Sequence, residues 1–153
     1  MVQVGDTAPG FELPDTELKM RTLDEFRDKK IVLSFIVAAS SPVCETELCK
    51  FRDSWQEITD LGAQIVAISN DGPFANKAFA EKNGFNFPLL GDYTSGTIRD
   101  YGVLMKDLLH IKDYNAAKRS VFVIGADGKI AYRWVSDDPL VEPDYDKIKE
   151  SLK

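Results

Sequence analysis

Cys44 and Cys49 are the only cysteines in the chain, and Ser41 and Pro42 stand just ahead of the first. From Pro42 onward the residues Cys44, Leu48, Phe51, Trp55 and Ile58 recur at spacings of 4, 3, 4 and 3, the period of one helix face, and Gly62 closes the segment. This predicts a single helix in which Ser41 is the N-cap and Pro42 takes the first position, where a missing N–H is tolerated. Cys44 then falls on the third helical residue, at the positive end of the helix. A thiolate placed there accepts otherwise unpaired backbone N–H groups and is favoured over the thiol.

Magnitude limits what that placement achieves. A free thiol is only about 3% ionised at pH 7, so full deprotonation raises the reactive fraction roughly 30-fold. Further acceleration of an attack on oxygen needs donors aimed at the charge that develops on the departing atom. Ser41 is the hydroxyl within reach, and Arg119, opening an apolar strand, is the candidate cation. Glu45 and Glu47 suit the helix dipole but put negative charge near the sulfur, and their net effect is left open. Cys49, five residues after Cys44, lies about 140° around an ideal helix and roughly 8.6 Å away by Cα. A disulfide spans at most about 7 Å, so bonding the two requires the first turns to unwind. Zinc is not expected, because two cysteines and the lone His110, read as a solvated loop residue, fall short of four ligands.

These side chains need a scaffold. Ile31 to Val37 reads as a central strand buried on both faces, and Gln64 to Ser69 as a second. Pro73 to Asn83 reads as a helix with Phe74, Ala78 and Phe79 inward and Gly84 at its end. The segment from about Gly84 to Lys118 reads as irregular, with a short helix near Thr97. Ser120 to Ile124 and Lys129 to Trp134 form a hairpin across Gly125-Ala126-Asp127-Gly128, and a last helix spans about Asp144 to Leu152. This order gives an α/β, thioredoxin-like fold: a mixed sheet with helices on both faces, in one domain spanning residues 1–153.

With 44% hydrophobic and 29% charged residues in 153, the chain is of ordinary globular composition. A net charge of -6 and a pI near 4.8 oppose binding to nucleic acid or anionic membrane. No leader and no apolar run of membrane-spanning length is visible, which places the protein in the cytoplasm, where a close cysteine pair is more often redox-active than structural.

The stretch FIVAASSPVCETELCKFRD resembles the active-site loop and helix of the peroxiredoxins, whose pattern is Pro-x-x-x-Thr-x-x-Cys and which here reads Val37-x-x-x-Ser41-x-x-Cys44. The similarity continues through VGDTAPGFELPD, ISNDGPFANKAFAEKNGFNFPLL, DYGVL and AAKRSVFVIGADGKIAYRW. It implies a cofactor-free thiol peroxidase acting on hydrogen peroxide or organic hydroperoxides. Cys44 would be the peroxidatic nucleophile, Ser41 would stand for the threonine that orients the peroxide, and Arg119 would be the active-site arginine. The C-x-x-x-x-C spacing is similar to the bacterioferritin-comigratory (PrxQ) and AhpE-like branches. In these a cysteine at the place of Cys49 can resolve the sulfenic acid, for reduction by a thioredoxin-like donor or a small thiol. A homodimer is implied by the same resemblance. Val37 in place of proline keeps apolar bulk but adds an N–H and frees φ.

Plainer readings exist beside these. Cys44 could be a small buried core residue, Cys49 could simply pack, and Arg119 could be a charged strand flank like its neighbour Lys118. As functions, a thiol-disulfide carrier, a redox sensor and a one-cysteine peroxidase recycled by an external thiol stand as alternatives.

Overall fold

The computed structural model describes residues 2–153. β1 (Glu12–Pro14) and β2 (Met20–Thr22) pair as a short hairpin, and a 3-10 turn at Leu23–Phe26 leads into β3 (Lys30–Phe35). α1 (Pro42–Asp53) and α2 (Trp55–Asp60) follow, then β4 (Ala63–Ser69), α3 (Pro73–Asn83), β5 (Leu89–Gly91) and α4 (Gly96–Asp100). β6 (Leu104–Met105) pairs with β7 (Ala116–Ala117), and β8 (Ser120–Ile124), β9 (Ile130–Val135) and α5 (Tyr145–Ser151) complete the chain.

The main sheet runs β5-β4-β3-β8-β9, with β3, β4 and β5 parallel and β8 and β9 antiparallel. β3 is central and buried along nearly its whole length. Val32 faces a cluster with Leu48, Phe51, Ile58, Phe79 and Ile148 from α1, α2, α3 and α5. Ile31, Leu33 and Phe35 face the opposite cluster, closed by Ile98 of α4, by Tyr101 just after it and by Leu23 and Phe26. Helices therefore cover both faces, as the α/β thioredoxin-like reading expects, and the apolar run IVLSFIV is explained by burial on two sides.

Several details depart from the sequence reading. The predicted single helix from Pro42 is broken at Ser54, which caps the end of α1 and the start of α2 with φ -92 and ψ 3. The apolar stripe runs on through the break, which hides it from periodicity, while Asp53 and Ser54 are weak helix formers that compete for backbone hydrogen bonds. α3 has its expected bounds but not its expected face: Phe74 and Ala78 are exposed, while Asn76 is buried beside Phe79 and its Oδ1 accepts from Ser69 Oγ at 2.8 Å. A polar residue turned inward, its Oδ1 paired with Ser69, displaces the predicted apolar pair. β3 ends at Phe35 rather than Val37, and β5 gives the supposedly irregular region a third parallel strand. In the β8–β9 turn only Gly128 takes a positive φ, of 81°.

Candidate active site

α1 begins as the sequence requires. Ser41 is the N-cap, its Oγ accepts from Cys44 N at 3.4 Å, and Pro42 occupies the first turn. The loop before it is held at both ends of its run off β3: Ile36 N donates to Ile68 O, and Ala39 N donates to Asp71 Oδ2 at 2.7 Å. Ser40, directly after Ala39, takes φ +67, a left-handed conformation that turns the chain into the helix.

Cys44 is fully buried on the inward face of α1. Arg119, which directly precedes β8, is also buried at 1% exposure, and its Nη1 donates to Cys44 Sγ at 3.2 Å. The same nitrogen donates to Glu47 Oε1 at 2.8 Å, and Nε and Nη2 donate to Pro139 O at 3.2 and 2.7 Å. A buried guanidinium needs such partners, and here they fix the direction of the fork. Glu47 is anchored on its other side by Ser34 Oγ, which donates to Oε2 at 3.0 Å. Ser34 lies two residues from Val32 along β3, so strand alternation turns it toward α1.

The electrostatics follow from burial. Burial works against the Arg119 charge, yet Cys44 and Glu47 hold its pKa above the ordinary arginine value. Burial pushes the Glu47 carboxyl up to about 7, against the pull of Arg119 and Ser34, with Glu142 adding to the rise. Cys44 thus sits between a helix start and a clamped cation whose counter-charge titrates near neutrality.

A cleft of about 220 Å³ opens beside the buried Cys44, walled by Val37, Ala38, Pro42, Val43, Leu108 and Leu140, with Ser41 and Arg119 also in its lining. Val37, in the place of the family's proline, is buried and forms part of this apolar wall. Of the residues singled out from sequence, Cys44, Ser41 and Arg119 come together. Cys49 does not. It is half-buried on another side of α1, both cysteines are free thiols, and the Cys49 thiol lies 3.6 Å from Asn83 Oδ1.

Ser34 and the Pro139 carbonyl were missed by sequence reasoning, and Glu47, read only as a negative charge near the sulfur, was missed as the partner of Arg119. Glu47 had a signal, since it lies three residues from Cys44 on the same helix face. Pro139 had none, because a backbone carbonyl brought in by the segment after β9 leaves no side-chain mark. His110 has no part in the site and is exposed, as expected of a solvated loop residue.

Comparison with known proteins agrees with this geometry. The model of the AhpC/TSA family matches residues 4–133. The peroxiredoxin Bcp of Escherichia coli K12 is 33% identical over 152 residues, covering 99% of this chain and 96% of that protein. The thiol peroxidase of Streptococcus sanguinis is 35% identical over 155 residues, covering 99% and 90%. The crystal structure of peroxidoxin BcpB from Mycobacterium tuberculosis superposes with a TM-score of 0.88 at 32% identity, over 99% of this chain and 97% of that one. Matched by the family model over most of its length and by these relatives over nearly all of it, the chain belongs to the AhpC/TSA family, among its Bcp-type peroxiredoxins.

Proposed function

We propose that the protein is a thiol-dependent peroxidase in which Cys44 is the nucleophile, Ser41 and Arg119 orient and stabilise the reacting oxygens, and Cys49 resolves the product. The observation that carries this reading is the 3.2 Å contact of Arg119 Nη1 with Cys44 Sγ at the capped start of α1. The Cys44 thiolate attacks one peroxide oxygen, the O–O bond breaks, and the departing alkoxide or hydroxide takes a proton. Sulfur is oxidised to sulfenic acid and the peroxide is reduced to an alcohol or water. Arg119 is held in place before the reaction begins, so its charge acts on the transition state without reorganisation.

The Cys49 thiolate then attacks the Cys44 sulfur, the S–S bond forms, the S–O bond breaks and hydroxide leaves as water. A thioredoxin-like dithiol returns both sulfurs to thiols. The apolar cleft wall favours hydroperoxides that carry an alkyl group over hydrogen peroxide. The reading extends to one domain over residues 1–153 in the cytoplasm. A homodimer accords with the resemblance and with exposed Leu109, Ile111 and Leu140 near the cleft. Among the described residues no helix is long and apolar enough to cross a membrane. Stopped-flow addition of one equivalent of peroxide to the reduced protein, followed by intact mass, tests the reading. A fast phase ending in the loss of two hydrogens is expected, and slow consumption at a free-thiol rate contradicts it.

A further inference from the structure

Cys49 is gripped from outside its own helix. Asn83, the last residue of α3, turns Oδ1 toward the Cys49 thiol, and this orientation of the amide is fixed because Nδ2 donates to Phe79 O at 3.0 Å. Arg52 reaches the same residue, donating from Nη1 to the Asn83 carbonyl. One turn earlier on α1, Glu45 Oε2 meets Lys82 Nζ at 3.3 Å. Glu45, Cys49 and Arg52 are spaced by four and three residues, so they form one stripe of α1, held by the final two residues of α3.

The contacts are not equal. The Lys82–Glu45 pair is exposed and contributes little. The Asn83 contacts are partly buried, and the one from Arg52 is charge-assisted. α1 has 12 residues, a length at which a helix depends on tertiary contacts to stay wound. In this contact the Cys49 S–H donates to Asn83 Oδ1, which turns the sulfur toward α3.

We propose that Asn83 is a latch on Cys49, a positioning residue that keeps α1 wound while Cys44 meets hydroperoxide and sets the rate at which Cys49 is released to form the disulfide. This rests on the reading of Cys49 as the resolving thiol. Once released, the Cys49 sulfur attacks the Cys44 sulfur, the S–S bond forms, the S–O bond breaks and hydroxide leaves as water with the thiol proton, the peroxide of the first step being the only oxidant. The latch therefore governs how long the sulfenic acid is open to a second peroxide, the route to sulfinic acid.

The test compares the full-length wild type with Asn83→Ala by hydrogen exchange of the reduced proteins and by quenched-flow intact mass after one equivalent of peroxide. Loss of the latch should speed exchange of α1 amides roughly threefold to tenfold, the range of one hydrogen bond, with β3 and β4 peptides unchanged. Disulfide formation should accelerate by a similar factor, while the first oxidation keeps its rate. Unchanged α1 exchange, acceleration shared equally by β3 and β4, or faster exchange with an unaltered disulfide rate each overturns the latch. Faster α1 exchange in a protein that never forms the disulfide upholds the grip on α1 but sinks Cys49 as the resolving thiol, and with it the rate-setting role. Asn83→Ser, too short to reach the thiol, gives the same readout should the alanine variant not fold.

Discussion

The two cysteines share one helix and live in opposite surroundings. Cys44 is sealed, and the group that touches its sulfur is locked by a carboxylate and a backbone carbonyl, with Ser34 holding the carboxylate in turn. Cys49 is half-buried and held through one amide at the end of a neighbouring helix. The difference divides the labour. A nucleophile that must stabilise a charged transition state needs preorganised partners, whereas a resolving thiol has to travel and is better held by contacts that break easily.

The contrast can be broken from the Cys44 side first. Cys44→Ser should abolish peroxide consumption beyond the level of free thiols, measured by stopped flow. Arg119→Met should slow the first oxidation by about one to three orders of magnitude with the fold intact by circular dichroism. Lys118, whose Nζ pairs at the surface with Asp137 at 2.8 Å, gives the control. Lys118→Met should leave the rate within a factor of about two, and equal losses in the two variants would reject Arg119 as the cation.

From the Cys49 side, Cys49→Ser should consume its first equivalent of peroxide at nearly the wild-type rate. It should then turn over poorly with a thioredoxin-like donor. Under excess peroxide its Cys44 peptide should gain two or three oxygen atoms, where wild type forms a disulfide. Wild-type turnover by this variant would leave a one-cysteine peroxidase recycled by an external thiol.

A smaller effect sharpens the account of the clamp. The Glu47 carboxyl is raised from 4.5 to about 7, so its contribution to stability is complete below its unfolded value and is lost as pH rises through about 7. Glu47→Gln stays neutral throughout, keeps its one carbonyl oxygen as acceptor for Arg119 and turns its NH2 to donate to the Ser34 hydroxyl. Between those two pH values wild type should lose stability relative to the variant by on the order of 1–3 kcal/mol, read from paired denaturant titrations. A constant gap across that window would show that Glu47 does not titrate there. Ser41→Ala should cost about 1 kcal/mol of stability through the lost cap alone.

How much of this the sequence carries depends on whether the signal is local. Ser41-Pro42 and the spacing from Cys44 to Phe51 announce the start and inward face of α1, because capping and periodicity act within a few residues. The same logic misses the break at Ser54, where the stripe continues although the backbone does not. It also misorients α3, where Asn76 goes inward because Ser69 from β4 waits to donate to it. Arg119 was legible as a cation at a strand edge, but its clamp draws on Glu47, on the Pro139 carbonyl and, through Glu47, on Ser34, far apart in the chain. The grip of Asn83 on Cys49 spans 34 residues and could be found only in three dimensions.

The central claim is that Cys44 reacts while α1 is wound and that Cys49 reaches it only when the first turns open. Hydrogen exchange of the reduced protein and of the product of one peroxide equivalent, each checked by intact mass, tests it most directly. The account predicts a product lighter by two hydrogens, with exchange raised across residues 42–49 and unchanged in β3 and β4. A disulfide formed with α1 protection intact, or a product carrying one added oxygen and no disulfide, would contradict it.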